Sequence, residues 1–378
     1  MPFYLAAFFI YIAIVFRSIC ERKNFTFLQF IFALFPLFLI TILRGDIGTD
    51  TAAYLNIISD MQKGLIPDME WGFVMSVKSM LFLGFSSRDI LIIFSFLISG
   101  FIIYAASFSS RSLLILVLCI VPIFFWDMTM NGLRYGLAFS LAMCSIANYY
   151  KENYRLVVIF AVSSILFHVS GLLIFILMIL VSDNGKELKN WLIITIGLSL
   201  LLVIFQSADY ISNIFANDDN LIGALNMRNK FSGYAAFPSP SLLSGLVPMI
   251  LSFLALAILK IADAAPKRIR ICRFYILLVS VLLTFFLAKF SYAGLRLQFL
   301  VLFFIFVCLQ FKPAFSQLDF AINKKNILPL FLLISTLGFV AFFKNALTSE
   351  GLGPSPWLPY SFSPAVNEYF DFLPAFYK

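Results

Sequence analysis

The chain has 378 residues, of which 62% are hydrophobic and 12% are charged, and its formal net charge is +8. Soluble domains carry about 25% charged residues, so the composition excludes an ordinary soluble protein and predicts a polytopic membrane protein. The basic residues lie in short connectors between apolar runs, as membrane topology requires, and therefore do not indicate nucleic-acid binding.

Apolar runs define the predicted fold class. A helix needs about 20 apolar residues to cross the ~30 Å hydrocarbon core, and lipid excludes open sheet edges, so we expect helical spans. The N-terminal run lacks a basic n-region and a small-residue cleavage site, which favours a retained first span over a signal peptide. The runs lie near 3–19, 25–43, 71–85, 88–107, 111–126, 131–150, 155–167, 169–181, 191–207, 241–262, 274–290, 295–311 and 327–344.

The basic connectors set the predicted orientation. If the connector 17–24 is cytoplasmic, the run 25–43 delivers Arg44 to the outside, and the short run 71–85 returns to the same side as a re-entrant or interfacial segment. A full crossing there would move the later basic connectors outside, against the positive-inside rule. We therefore predict a single all-α transmembrane domain over 1–378, with about 12 transmembrane helices and both termini outside.

Three polar segments are expected on the outer side. The segment 44–87 contains the re-entrant helix, and the segments 208–240 and 345–378 resemble lids over a membrane-embedded cavity. The apolar stretch 155–181 is too long for one ordinary span. Two crossings there also keep the later basic connectors on the cytoplasmic side, as the predicted orientation requires. We predict two short helices that meet near the outer surface at His168; one long tilted helix is the alternative.

The longest polar interruption of the N-terminal half holds the first candidate site residues. Arg44, Asp50, Tyr54 and Glu70 lie there beside several glycines. Glycines let backbone N–H groups approach an anion, and an arginine offers a planar fork for phosphate. Carboxylates accept a proton or orient a sugar hydroxyl. A simple extramembrane loop is the alternative interpretation.

Five further polar residues lie where predicted spans meet the outside: Asp127, Asn131, Arg134, His168 and Arg296. An arginine well inside lipid costs about 2.5–3.5 kcal/mol, so we expect Arg134 and Arg296 to face a cavity or an anion; snorkelling to the interface is the alternative. His168 can accept a hydroxyl proton near neutral pH, or can simply be a packed histidine. Asp50 and Glu70 compete for the role of base.

Metal, redox and nucleotide chemistry have no signature in the sequence. The single histidine excludes a multi-histidine metal site, and the five cysteines without CxxC spacing predict free thiols. Walker A, GxGxxG, HExxH and DxD motifs are absent. We therefore predict no cofactor and no metal, and expect any sugar donor to be lipid-linked.

The ordered motifs resemble a known family. RGDIGTDTAAY begins at Arg44, EWGF at Glu70, NGLRYGLA at Asn131 and FHVSG at Phe167. In this order they resemble the EpsG/Wzy family of O-antigen and exopolysaccharide polymerases. Tyr135 stands where that family usually has Gln, which puts an amide role there in doubt. The matches span about residues 44–171.

The resemblance implies a reaction. A growing glycan would move from undecaprenyl pyrophosphate to the sugar hydroxyl of an incoming lipid-linked repeat unit, at the periplasmic side of the bacterial inner membrane. Arg44, Arg134 and Arg296 would bind the pyrophosphate, with Asn131 and Tyr54 as further substrate-binding residues. His168 would be the base, with Asp50 or Glu70 in reserve. The fold implied is a GT-C-like glycosyltransferase of lipopolysaccharide biosynthesis.

The implied partners are undecaprenyl-pyrophosphate-linked oligosaccharides, membrane lipid and a chain-length regulator protein. Two other functions fit the same residues. A flippase for the same lipid-linked sugar would perform no chemistry, but the sequence has no internal repeat and its polar residues gather on one side. An O-antigen ligase-type transferase, or an acyltransferase that uses His168, is the second alternative.

Overall fold

The computed structural model describes residues 2–20, 26–48, 50–67, 69–107, 113, 115–172, 193, 245–262, 267–289, 292–311, 329 and 332–340. Across these ranges the ordered elements are helices without strands, which confirms the predicted all-α class. The predicted outer segments 208–240 and 345–378 lie outside the described residues, as do most of the runs 169–181 and 191–207. The number of spans and the GT-C-like arrangement stay predictions.

The helices follow the predicted apolar runs closely, with ends that shift by a few residues. They are α1 (Pro2–Cys20), α2 (Phe27–Ile42), α3 (Thr51–Gln62), α4 (Trp71–Phe82), α5 (Ser87–Ala106), α6 (Val121–Trp126), α7 (Leu133–Tyr150), α8 (Tyr154–Phe167), α9 (Leu246–Ala262), α10 (Lys267–Leu287) and α11 (Tyr292–Phe311). Two π-helical turns flank α6: π1 (Leu116–Ile120) before it and π2 (Asp127–Asn131) after it.

Two helix starts are set by capping boxes. Thr26 accepts from the backbone N–H of Gln29 at the start of α2, and Ser86 does the same with Asp89 at the start of α5. Such reciprocal bonds satisfy donors that the first helical turn cannot use internally. The second box places Arg88 in the first turn of α5, beside the end of α2.

The segment between α2 and α5 contains two short helices. Each of α3 and α4 has 12 residues, a length of about 18 Å, which is less than the hydrocarbon thickness of a bilayer. The re-entrant or interfacial character of 71–85 stays a prediction. We did not predict α3, because its sequence mixes polar and apolar residues and has no apolar run of its own.

The core lies around α7, which packs against α5 and α8, while α1 packs against α2. The C-terminal helices α9, α10 and α11 pack against one another, and α11 joins them to the rest through π1 and α7. Large apolar side chains point outward from several helices, among them Phe9, Phe32, Phe96, Tyr275 and Phe286. Such exposure is typical of a lipid-facing surface rather than of a soluble domain.

Within the described ranges two helices are long and apolar enough to cross a membrane, Ser87–Ala106 and Arg270–Leu287. Several shorter apolar helices accompany them, including Phe27–Ile42, Tyr154–Phe167 and Gly294–Gln310. These helices and the composition indicate a membrane protein.

Helix α8 ends where the sequence analysis predicts a break. The backbone of His168 is extended, with φ −163° and ψ 131°, and its N–H bonds to Ser164 O, which closes the last turn. Residues 170–172 return to helical conformation. One continuous tilted helix through His168 is therefore excluded, and the remainder of the second predicted helix lies outside the described residues.

The contact between α4 and α8 depends on Gly72. A Cβ added at Gly72 would lie 2.8 Å from the backbone oxygen of Leu166, closer than real Cβ contacts. This close approach brings the start of α4, and with it Glu70, against the end of α8.

We expect Gly72→Ala to lower the thermal stability of the purified protein, because the methyl group meets backbone that has no side-chain freedom to yield. Overpacking of this kind costs about 1–3 kcal/mol. Gly100→Ala is the matched control, since nothing lies within 4 Å of an added Cβ in that position of α5. Equal melting temperatures for the two variants in detergent would contradict the close α4–α8 contact.

Candidate functional site

The end of π2 supplies the surface on which the site is built. The helical run stops at Asn131, so the carbonyls of its last turn need donors from elsewhere. Arg44 Nη1 donates to Thr129 O at 2.7 Å, and Ser95 Oγ donates to the same oxygen at 2.8 Å. Arg44 is only 6% exposed. These bonds hold the end of α2 and the middle of α5 against π2.

The connector between α2 and α3 follows the same surface. Gly48 has φ +104°, a conformation that favours glycine, and an added Cβ would lie 3.1 Å from Met130 O. Thr51 Oγ1 donates to Met130 O at 3.2 Å, and the Asp50 N–H donates to Asn131 Oδ1 at 3.3 Å. The predicted polar motif is therefore bound to π2 by its backbone as well as by its side chains.

A carboxylate lies at the start of π2. Asn131 Nδ2 donates to Asp127 Oδ1 at 3.2 Å, and the Tyr135 hydroxyl donates to the same carboxylate. Arg296 and Asp50 both lie within electrostatic range of Asp127. Tyr135 thus provides a hydroxyl donor at the position where the resembled family usually has an amide.

An ion pair joins α4 to α7. Arg134 Nη1 donates to Glu70 Oε2, with both side chains about one-fifth exposed, at 22% and 18%. Arg134 also interacts electrostatically with the buried Tyr54 hydroxyl. Burial by itself would raise the pKa of Glu70, but Arg134 and His168 outweigh it and lower the pKa below its usual value. Glu70 is therefore ionised at neutral pH.

His168 lies on the other side of Glu70. Its Nε2 is 3.9 Å from Glu70 Oε1, and its Nδ1 is 2.6 Å from Ser170 Oγ. The Ser170 backbone N–H also donates to Nδ1, at 3.2 Å. Because a ring nitrogen that accepts cannot carry the proton, we infer that neutral His168 has its hydrogen on Nε2, facing Glu70.

One polar network results, defined by Asp50, Tyr54, Glu70, Asp127, Asn131, Arg134, Tyr135, His168 and Arg296. Arg296 is on the exposed side of α11 and the others come from the α2–α8 region. In the described part of the chain, His, Cys, Asp and Glu side chains form no group of three that could hold a metal ion. The network offers three carboxylates, an imidazole and two guanidinium groups at the meeting point of several helix ends.

Arg44 has a different position from the other predicted residues. It contacts Thr129 rather than Glu70 or Arg134, and it lines a pocket with Arg88 of α5. The catalytic and binding roles assigned from sequence to Arg44 and to the members of the network stay predictions.

The sequence did not point to Tyr135, Ser170 or Arg88 as site residues, and Asp127 was noted among the outer polar residues without a role. The spacing of Asp127 and Asn131, four residues apart on one helical face, was a usable signal for a hydrogen-bonded pair. Arg88 follows a capping serine in a connector and looks like an ordinary charged helix start. No spacing rule relates it to Arg44, 44 positions earlier.

The helices and the network together define a helical membrane protein with an ionisable site at helix ends. The chain belongs to the EpsG family, which matches residues 27–362, most of its length. This result confirms the resemblance and extends it well beyond residues 44–171. Membership indicates a polysaccharide-polymerase type of function, that of a glycosyltransferase-like membrane protein. No curated protein and no solved structure matches the chain.

The lowered pKa of Glu70 predicts a pH-dependent contribution to stability. The ordinary value is 4.5, so the ion pair with Arg134 stabilises the fold fully above that pH and is lost as the pH falls through the lower folded-state pKa. We expect Glu70→Gln to melt at a lower temperature than the wild type at pH 6–8, because Arg134 keeps its charge without its partner.

The difference in melting temperature should shrink as the pH falls below about 4.5 and vanish below the lowered folded-state pKa, where wild-type Glu70 is also neutral. Melting followed by intrinsic fluorescence in detergent between pH 3 and pH 8 measures it. Glu152→Gln is the control, since Glu152 is exposed in the α7–α8 turn. A difference independent of pH would contradict the assignment to the Glu70 carboxylate.

Proposed function

We propose that the protein is a repeat-unit polymerase that transfers a growing glycan from polyprenyl pyrophosphate to a sugar hydroxyl of an incoming lipid-linked repeat unit. The glycosidic C–O bond to the pyrophosphate breaks, a C–O bond to the acceptor oxygen forms, and the acceptor proton passes to a base. The pyrophosphate leaves as an anion with its lipid. The reaction balances without a nucleotide, an oxidant or a reductant.

The observation that carries this proposal is the contact of Glu70, Arg134 and His168. Breaking the glycosidic bond develops negative charge on the leaving pyrophosphate, and fixed cationic donors lower the barrier to that step. Arg134 Nε is buried and makes no hydrogen bond within the described residues. A buried donor without an acceptor costs about 1–3 kcal/mol of folding free energy. A bound phosphate oxygen that accepted from it would recover part of that cost. Arg296, beside Asp127, is the second proposed cation.

His168 is the proposed base. Its Nδ1 carries the lone pair, and the Ser170 hydroxyl, 2.6 Å away, already occupies the position from which a hydroxyl donates. After proton transfer, the imidazolium has Nε2–H directed at the ionised Glu70, which stabilises the charged ring. Asn131, Tyr54 and Asp50 are proposed to hydrogen-bond the sugars, and Asp50 or Glu70 replaces His168 as base if that assignment is wrong.

The proposed setting is the periplasmic face of the bacterial inner membrane. Its support is the positive-inside distribution of the connectors together with the meeting of helix ends at the network: π2 and α8 end there, while α3, α4 and α7 begin there. A chain-length regulator protein and the lipid-linked oligosaccharides are the proposed partners. About 12 spans and a GT-C-like arrangement complete the proposal.

The direct test is polymerisation by the purified full-length protein in nanodiscs, supplied with the lipid-linked repeat unit from its own cell. We expect a ladder of lipid-linked glycans longer than one repeat. Movement of intact single repeats across the bilayer without elongation would instead support a flippase and overturn the proposal.

Arg134→Ala is expected to lower the rate of elongation by at least about 100-fold, the loss that follows removal of one donor to a developing oxyanion. The matched control is Arg155→Ala, because Arg155 is exposed at the opposite end of α8. Gel analysis of chain length against time measures both. An elongation rate in Arg134→Ala equal to that of the control would remove Arg134 from the site.

His168→Ala should still bind the lipid-linked repeat unit but lose elongation by about 10²–10⁴-fold, the usual contribution of a general base. Glu70→Asp is the companion variant, since it keeps a carboxylate while moving it away from Nε2, and we expect a smaller loss. The measurement is single-turnover elongation beside repeat-unit binding. Unchanged turnover in His168→Ala would shift the role of base to Asp50 or Glu70.

A further inference from the structure

An arginine-lined pocket lies next to the polar network. It is an open depression formed by the end of α2, the start of α3 and the first turns of α5, with about 300 Å³ of empty space that includes open solvent. Its charged lining residues are Arg44 and Arg88, and its apolar ones are Ile42, Leu91 and Ile92. The lining contains neither Glu70 nor Arg134, so this pocket is separate from the proposed centre of reaction.

The charges of the pocket favour an anion. Both lining charges are guanidinium groups, each of which can bind two oxygens of a phosphate. Arg88 Nη2 pairs with Asp46 Oδ1 at 2.6 Å, but the Asp46 side chain is 64% exposed. An ion pair this exposed contributes little to stability, so a phosphate oxygen can replace the Asp46 carboxylate at low cost.

The hydroxyl groups of the lining do not add donors for an anion. Thr41 donates to Leu37 O, Thr51 shares its hydrogen between Ile47 O and Met130 O, and Ser95 shares its own between Leu91 O and Thr129 O. Their hydrogens are used by backbone carbonyls, so recognition of an anion falls to the two arginines. Arg44 is held in place by its bond to Thr129 O, which presents a fixed cation at the base of the pocket.

The apolar rim indicates that the anion carries a hydrocarbon chain. Ile92 is 37% exposed, and Phe35 of α2 and Phe96 of α5 are exposed on the same two helices. Helix α5 is one of the two described helices that can cross a membrane. A phosphate at Arg44 and Arg88 would therefore have lipid-facing helix surface directly beside it for a long isoprenoid or acyl chain.

The place of the pocket relates it to the polar network. The pocket and the network share π2: Arg44 bonds to Thr129, and Asn131, two residues later, belongs to the network. A polymerase must hold two lipid-linked substrates at once, and the network accounts for one pyrophosphate. We propose that the Arg44–Arg88 pocket binds the phosphate end of the second lipid-linked substrate, the acceptor. This inference rests on the proposed function.

Binding stoichiometry tests the pocket without requiring turnover. The probe is farnesyl pyrophosphate, measured by native mass spectrometry on the full-length protein in detergent. We expect two equivalents for the wild type and for the control Arg155→Ala, and one each for Arg88→Ala and Arg134→Ala. The equivalent that remains in Arg88→Ala shows that this variant is folded. Two equivalents in Arg88→Ala, at wild-type affinity, would overturn the proposal.

Asp46→Asn separates binding from a structural role of the ion pair. It removes the carboxylate that competes for Arg88 and leaves the guanidinium in place, so we expect the second equivalent to bind as tightly as in the wild type or several-fold more tightly. A loss equal to that of Arg88→Ala would mean that the ion pair only maintains the fold of the connector, and the pocket would not be a site.

Two further probes distinguish the sources of the phosphate. Inorganic pyrophosphate that fills the pocket as tightly as farnesyl pyrophosphate would exclude a lipid ligand. Phosphatidylglycerol that co-purifies in an Arg88-dependent way and is not displaced by farnesyl pyrophosphate would assign the pocket to bilayer lipid. Both results overturn the acceptor assignment.

Elongation kinetics then separate the two proposals. With labelled single repeats as acceptor and preformed polymer on lipid as donor, Arg88→Ala should raise the KM for the acceptor about tenfold or more, as expected for a lost charge-assisted bond, with the donor KM unchanged. If the wild type binds two equivalents but never elongates, the proposed polymerase function fails while the pocket stands. If the wild type elongates and the acceptor KM of Arg88→Ala is unchanged, only this inference fails.

Discussion

The structure depends on the backbone carbonyls that π2 leaves at its end. Thr129 is fully buried, so its carbonyl oxygen needs protein donors, and it receives them from Arg44 and Ser95. In an apolar interior an unsatisfied carbonyl costs about as much free energy as one of these bonds contributes. The bonds to Thr129 O therefore stabilise the packing of α2, α5 and π2 against one another. π-helical turns inside α-helices are often found at functional sites, and here the irregular turn is what gathers α2, α5 and the α2–α3 connector.

Electrostatic compensation explains how a chain with few charges holds several of them together. The Glu70 carboxylate lies between the Arg134 guanidinium and the His168 ring, and Asp127 is bound by Asn131 and Tyr135. Each buried charge thus has a partner or a hydrogen-bond donor, as burial requires. Such pairs are weak evidence for stability, because apolar residues of similar volume would serve as well. Their concentration at helix ends therefore favours function over stability as the reason for their presence.

Much of the helical framework could be predicted from apolar runs alone, since the bounds of α1, α2, α5, α7 and α8 depend on local hydrophobicity and end at polar or glycine residues. The break at His168 followed from the length of the apolar stretch 155–181 and from the number of crossings that the predicted orientation requires. The helix α3 could not be predicted that way, because its apolar side chains, such as Tyr54 and Ile58, are buried by tertiary contacts and form no continuous run. The family pattern marked the motif positions but not their contacts: Tyr135, noted only as a departure, supplies the hydroxyl that holds Asp127.

Arg44 illustrates what a one-dimensional motif leaves open. Its sequence position beside Asp50 suggested one common anion site with Arg134. In the fold, the residues on either side of Gly48 have separate partners: Arg44 bonds to Thr129 O, while Asp50 bonds to Asn131 within the network. The positive φ of Gly48 turns the connector between these two contacts, which only three-dimensional placement reveals. The proposed transfer between two anionic lipids needs two cationic positions, and the proposals assign them to Arg44, which bonds to π2, and Arg134, at the start of α7. In the proposed reaction, a single merged arginine cluster would draw both pyrophosphates to one place, where their repulsion would oppose the approach of acceptor and donor.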